Sequence, residues 1–181
     1  GVIGLSGGLD SSVAAFLAAR ALNANRLLGL ILPDHRVTPP SDVKDAELVA
    51  KMLGIRYHLI DIAPIHRAYC KHLPKDRLAE GNLRARIRMT LLYYYANLEN
   101  RLVIGTGDRS EALIGYFTKY GDGGVDIQPL GSLYKCQVRA LAKWLGLPPQ
   151  ITEKSSSPRL WRDQEAEAEL GLSYDVIDQI L

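Results

Sequence analysis

Cysteine is scarce in this chain, with two among 181 residues. Cys70 and Cys136 lie far apart, and neither belongs to a Cys-x-x-Cys or Cys/His ligand spacing. A disulfide framework and a thiolate zinc site are therefore excluded as organising elements, and reduced cytoplasmic thiols are expected. A dominant charge is missing too. Twenty-two Lys and Arg stand against 20 Asp and Glu, and a net charge of +2 is too small to point to nucleic acid or an acidic membrane surface. No apolar run is long enough to span a bilayer, and no stretch has the pattern of a signal peptide. Repeats, low-complexity tracts and linkers are also lacking, so one domain over residues 1–181 is expected. Gly1 already lies inside a strand pattern and Leu181 inside a helical one, so that domain is read as truncated at both ends.

What the chain does have is concentrated first in Ser6-Gly7-Gly8-Leu9-Asp10-Ser11-Ser12, directly behind the apolar run Val2-Ile3-Gly4-Leu5. Residues Ser12 to Leu22 follow with a helical pattern, Val13, Phe16 and Leu17 sharing a face. A strand, a glycine turn and a helix start form a cradle for phosphate, because glycine permits close approach and the first-turn N–H groups point at the loop. A serine-capped strand-to-helix turn would look similar. The loop lacks the lysine of a Walker sequence, and Gly4, Gly7 and Gly8 do not have the dinucleotide spacing. It carries a carboxylate instead, Asp10. A carboxylate beside phosphates repels them unless a cation such as Mg²⁺ lies between. The Ser-Gly-Gly-x-Asp-Ser pattern resembles the signature of the PP-loop ATP pyrophosphatases. That resemblance implies cleavage of ATP to AMP and pyrophosphate with adenylation of a substrate oxygen.

Short extended runs alternate with helical ones along the chain. The pattern predicts strands at Val2–Leu5, Leu27–Leu32, Tyr57–Ile60 and Leu102–Thr106. It predicts helices at Ser12–Leu22, Asp42–Leu53 (stopped by Gly54), Leu83–Leu98 and Tyr134–Leu145 (stopped by Gly146, then Pro148). The fold class is therefore α/β, a Rossmann-like open parallel sheet with helices on both faces. Ligands of such sheets bind beyond the carboxyl ends of the strands. The Glu-rich stretch Arg162–Leu170 reads as a solvated helix or loop edge.

The loop after the fourth strand, Gly105-Thr106-Gly107-Asp108-Arg109-Ser110-Glu111, should share that edge with the first loop. Glu111, at the start of a short helix over Ser110–Gly115, either joins Asp10 in holding Mg²⁺ or complements the helix N-terminus. Next comes Gly115-Tyr116-Phe117-Thr118-Lys119-Tyr120-Gly121-Asp122-Gly123-Gly124-Val125-Asp126, far richer in charge and aromatics than a turn requires. This stretch resembles the substrate loop of the ammonia-dependent NAD synthetases. So do Gly81-Asn82-Leu83-Arg84-Ala85-Arg86-Ile87-Arg88-Met89, Leu133-Tyr134-Lys135 and Glu169-Leu170-Gly171-Leu172-Ser173-Tyr174, and the likeness covers nearly the whole chain.

The resemblance implies ATP-dependent amidation of deamido-NAD with ammonia through an acyl-adenylate, the last step of NAD biosynthesis. It places Gly4, Leu5, Ser6, Gly7, Gly8, Leu9, Asp10, Ser11, Thr106, Lys135 and Ser157 on ATP, and Asp10 and Glu111 on Mg²⁺. It places Arg86, Lys119 and Asp126 on deamido-NAD, with Asn82 and Asp122 beside them; Asp10, Lys135 and Asp122 are taken as catalytic. One stretch departs from the family, which usually has Pro-Pro-Ser-Ala-Gly where this chain has Ser155-Ser156-Ser157-Pro158-Arg159. No cysteine has the partners of a glutamine-hydrolysing nucleophile, so free ammonia is the expected nitrogen source. The family implies a homodimer. The run Tyr93-Tyr94-Tyr95 cannot all face one side of a helix, which leaves open whether a tyrosine meets a partner subunit or all pack within the monomer. Two other readings stand: a different PP-loop adenylating ligase, against which the absent basic patch weighs, and an inactive nucleotide-binding module.

Overall fold

A computed structural model describes residues 1–181. Four parallel strands form one sheet in the order β3-β2-β1-β4: β1 Val2–Gly4, β2 Leu28–Ile31, β3 Arg56–Leu59 and β4 Val103–Ile104. The chain reverses its direction of build-up between β3 and β4, on either side of β1. That reversal opens a crevice beyond the carboxyl ends of β1 and β4.

Alternation along the strands divides the core in two. On one face Ile3, Leu5 and Ile31 pack with Val13, Ala14 and Ala18 of α1 (Leu9–Leu22), Val49 of α2 (Pro40–Leu53) and Val138 and Ala142. On the other, Val2, Leu28, Leu30 and Val103 pack with Ile62, Ile87 and Ala96. Each of these Val, Leu and Ile side chains contributes about 1.5–3 kcal/mol by leaving water, and each alanine less. Strand β3 is the exposed edge, with only Tyr57 half-buried.

The remaining helices are α3 Ala63–Cys70, α4 Arg77–Leu98, α5 Arg109–Ile114, α6 Lys135–Trp144, α7 Pro149–Thr152, α8 Ala166–Leu170 and α9 Tyr174–Ile180. Helix α4 starts six residues before its expected onset, because Asp76 caps it by accepting from Ala79 N at 2.7 Å. Strand β4 is shorter than Leu102–Thr106; at its end the outer edge makes a parallel bridge between Ile104 and Ile127, with Gly105 N donating to Ile127 O at 2.7 Å. The stretch Arg162–Leu170 is not a solvated edge throughout. Gln164 and Ala166 are buried, and the Gln164 amide accepts from Leu160 N (2.8 Å) and donates to Glu169 (3.1 Å). Of the three tyrosines, Tyr93 donates to Asp126 and Tyr95 packs on His58, while Tyr94 is 62% exposed.

Candidate active site

The Ser6–Ser12 loop is shaped by its own hydroxyls. Ser11 Oγ accepts from Ser6 N at 3.2 Å and lies 2.9 Å from Ser6 Oγ, and Ser12 Oγ donates to Gly8 O at 2.7 Å. Gly7 has φ +74°, and a Cβ there would lie 2.1 Å from Asp42 O, so only glycine lets the loop pack on the start of α2. Gly8 occupies the N-cap of α1 without a side chain to bond the first-turn N–H groups, which stay available to an anion.

An acidic cluster faces this loop. Asp108 caps α5 through a reciprocal box with Glu111, accepting from Glu111 N at 2.8 Å while Glu111 Oε2 accepts from Asp108 N at 3.2 Å. Beneath these side chains lies Lys135, at the start of α6. Its Nζ is 2.8 Å from Asp10 Oδ2, 2.8 Å from Asp108 Oδ2 and 2.9 Å from Glu111 Oε1. The Asp108 contact has ion-pair distance without hydrogen-bond geometry. Lys135 and Asp108 are fully buried; Asp10 and Glu111 keep 21% and 20% of their side chains exposed. The Tyr174 ring lies 4.8 Å from the ammonium.

Three carboxylates against one ammonium leave the cluster short of positive charge. Burial pushes the Glu111 carboxyl up to about 8, with the Asp10 charge as the next cause. Burial likewise raises Asp108, against the pull of Lys135. Burial works against the Lys135 ammonium as well, but Asp10, Glu111 and Asp108 outweigh it and hold its pKa well above the ordinary value. Asp10 Oδ1, a buried oxygen, has no hydrogen-bond partner. Carboxylates of Asp10, Asp108 and Glu111 within 4.8 Å of one another, together with that oxygen, suit a hard divalent cation such as Mg²⁺.

Loop and cluster open on one cavity of about 460 Å³. Its walls include Gly4, Leu5, Ser6, Gly8, Leu9, Asp10, Ser11, Thr106 and Glu111 around the loop, with Asn82, Asp122 and Ser157 farther along. Asp122 keeps solvent access while Oδ1 accepts from Thr118 N at 2.9 Å, and the protein around it raises its pKa by desolvation. The segment Lys154–Trp161 closes one side. Lys154 Nζ donates to Gly7 O at 2.8 Å and pairs with Asp42 and Asp45, and Arg159 Nε donates to Asp42 Oδ2 at 2.8 Å. Arg159 has φ +50°, the left-handed region, where the resemblance gives glycine.

The chain matches the NAD synthase family over residues 1–181. It belongs to that family. It is 59% identical to the NH(3)-dependent NAD(+) synthetase of Hyperthermus butylicus, over 99% of this chain and 66% of the relative. Among solved structures it is similar to the NMN synthetase of Francisella tularensis, with 42% identity, a TM-score of 0.93 and coverage of 99% of this chain and 75% of that one. It is also similar to the NH3-dependent NAD synthetase of Campylobacter jejuni, with 42% identity, a TM-score of 0.80 and coverage of 84% and 66%. The chain spans about two thirds of the length of the curated relatives it matches.

Not every residue expected at the NAD synthase site lines the cavity. Gly7 lies behind the loop against α2, and Lys135 lies behind the carboxylates rather than on the wall. Arg86 is exposed on α4 and donates to Lys119 O at 3.3 Å; Lys119 packs its ammonium 5.2 Å from the Tyr120 ring. Asp126 secures the sheet edge, accepting from Val103 N at 2.8 Å and Tyr93 Oη at 3.0 Å. Three groups were missed from sequence. Asp108 was legible as the first member of an Asp-x-x-Glu capping pattern; Arg88 stood inside the Gly81–Met89 stretch without a role of its own, and the placement of Lys154 depends on tertiary packing.

Proposed function

We propose that this protein amidates deamido-NAD with ammonia and ATP, forming NAD, AMP and pyrophosphate. The observation carrying this reading is the shared cavity: Ser6, Gly8, Leu9 and Ser11 of the loop, the Asp10–Glu111 pair and the walls Asn82, Thr106, Asp122 and Ser157 all meet there. The nicotinate carboxylate attacks the α-phosphorus of ATP, the bond from that phosphorus to the β-bridging oxygen breaks, and pyrophosphate leaves. Ammonia then attacks the acyl carbon, the carbon–oxygen bond to AMP breaks, and a proton is lost to give the amide.

This chain's groups act mainly by positioning and charge. The Ser6–Ser12 N–H groups hold the departing pyrophosphate. Asp10 and Glu111 would hold Mg²⁺, which supplies neutralisation of phosphate charge when bound, with Asp108 behind them. Lys135 keeps the carboxylates together. Thr106 and Ser157 contact ATP, and Asn82, Arg86, Lys119 and Asp126 contact the dinucleotide. Asp122 offers a carboxylate acceptor for the proton released from the attacking ammonia. We assign the protein to the cytoplasm as a homodimer, with Tyr94 and Leu98, one turn apart and both exposed, on its buried face. No helix is long and apolar enough to cross a membrane.

The likeness to an NMN synthetase supports one alternative acceptor, the mononucleotide acid. Assays with ATP, Mg²⁺ and ammonia test both. Stoichiometric AMP, pyrophosphate and NAD from deamido-NAD support the proposal. Turnover of the mononucleotide acid alone would replace the substrate, and ADP formation would overturn the mechanism.

A further inference from the structure

Helix α4 carries three arginines at two-residue intervals, Arg84, Arg86 and Arg88, and the fold treats each differently. Arg84 is buried and neutralised: Nε donates to Asp34 Oδ2 at 2.8 Å and an Nη to Leu160 O at 3.0 Å. Arg86 is exposed and reaches Lys119 O. Arg88 turns inward. Its Nε donates to Leu32 O at 3.0 Å, just past the carboxyl end of β2, and its side chain forms part of the cavity wall beside Leu32, Met89 and Asp122.

No carboxylate pairs with Arg88, and its terminal nitrogens make no bond to the protein. Asp34 is committed to Arg36 and Arg84, and Asp122 accepts from Thr118. Four N–H groups of a planar fork are therefore left at the cavity. Burial drags this guanidinium down to about 10, with the more distant Asp34 and Asp122 charges opposing. Arg88 is half-buried at the cavity wall, and a guanidinium there with no paired carboxylate gains a charge-assisted partner when an anion arrives. The fork geometry favours a two-oxygen face, carboxylate or phosphoryl.

We infer that Arg88 binds an oxyanion of the reacting substrates, either the nicotinate carboxylate or the α-phosphoryl group of ATP. This assignment rests on the function proposed above. The Leu32 carbonyl fixes the guanidinium through Nε and leaves the terminal nitrogens to grip the ligand. An arginine serving only as a brace between α4 and β2 would leave ligand affinity unchanged on replacement by a residue that keeps the Leu32 bond.

The test is calorimetric titration of wild type, Arg88→Gln and Arg88→Lys with ATP, AMP and deamido-NAD, each titrated separately with Mg²⁺ present. Glutamine can still donate to Leu32 O. A loss of about tenfold or more for one ligand in Arg88→Gln, with partial recovery in Arg88→Lys, is expected. Weakening of ATP and AMP identifies the phosphoryl group of ATP, and weakening of deamido-NAD beyond that of NAD, which has the amide in place of the carboxylate and is titrated in the same way, identifies the carboxylate. Retained binding of the other ligand shows that the variant is folded. Wild-type affinity for all three in Arg88→Gln overturns the assignment. So does equal loss of all three in both variants when thermal unfolding stays cooperative. AMP formation by the wild type is measured in parallel: its absence defeats the proposed function, whereas its presence with unchanged Arg88→Gln binding defeats only this inference.

Discussion

Lys135 is an ammonium with no exposed surface, within ion-pair distance of three carboxylates. Removing one partner of such a buried set costs about 3–5 kcal/mol, because the remaining charges stay desolvated. Lys135→Met should therefore lower the unfolding free energy by that order in urea titrations. Asp10 faces the cavity as well as the lysine, so its replacement should be felt chiefly in turnover. Asp10→Asn is expected to reduce the rate of AMP formation about 100-fold or more at fixed Mg²⁺, the scale for losing one preorganised charge. An unchanged rate would remove Asp10 from the proposed metal site. Asp10 stood out because a carboxylate inside a glycine-rich loop of this type calls for a cation, whereas the sequence around Glu111 left a helix-cap role equally open, and Glu111 does accept from Asp108 N. Lys135 was legible only through resemblance, and its position behind the carboxylates depends on the packing of α6, which no local pattern encodes.

At the scale of elements, the Ser6–Ser12 loop depends on contact with α2 as much as on its own sequence. Gly7→Ala would push a Cβ into Asp42 O and force an L side chain into φ +74°. A stability loss of about 1–3 kcal/mol is expected from such strain, together with loss of ATP affinity in calorimetry. The cap of α4 offers a milder case. Asp76→Ala should cost about 1 kcal/mol in chemical denaturation with little change in turnover, since the Asp76 side chain bonds only Ala79 N. The strands and the long helices α1, α2 and α6 were readable from periodicity and stop signals to within a few residues. Helices α3, α7 and α9 were not, being 8, 4 and 7 residues long and too short for a sustained pattern. The segment Lys154–Trp161 could be recognised as a departure from the family, but its ties to Asp42, Asp45 and Gly7 O cross more than 100 positions of sequence.

At the scale of the whole molecule, a second buried network joins β2, α3 and α4. Asp34, fully buried, accepts from Arg36 Nε and Arg84 Nε at 2.8 Å each, and these hydrogen bonds outweigh burial to hold its carboxyl well below the usual range. Arg36 also donates to His66 Nδ1 at 2.9 Å, and His66 Nε2 lies 3.1 Å from Glu80 O. Both ring nitrogens are thus used by a neutral imidazole, so the nearby Cys70 and Glu80 do not complete a metal site with it. Burial, then Arg84, lowers the His66 pKa from 6.5. The unfolded chain therefore binds the proton first, and stability falls as pH drops below about 6.5. His66→Gln should weaken this part of the decline. The wild-type minus variant difference in urea midpoint should shrink between pH 7.5 and pH 5.5, and a constant difference would contradict the assignment.

The central claim is that the cavity joins the substrate carboxylate to the α-phosphorus of ATP. It is tested most directly with deamido-NAD carrying heavy oxygen in its nicotinate carboxylate. Mass spectrometry of the nucleotide product after turnover with ammonia should find one heavy oxygen in AMP and the other retained in the amide of NAD. Heavy oxygen in inorganic phosphate, with ADP as the nucleotide, would contradict it.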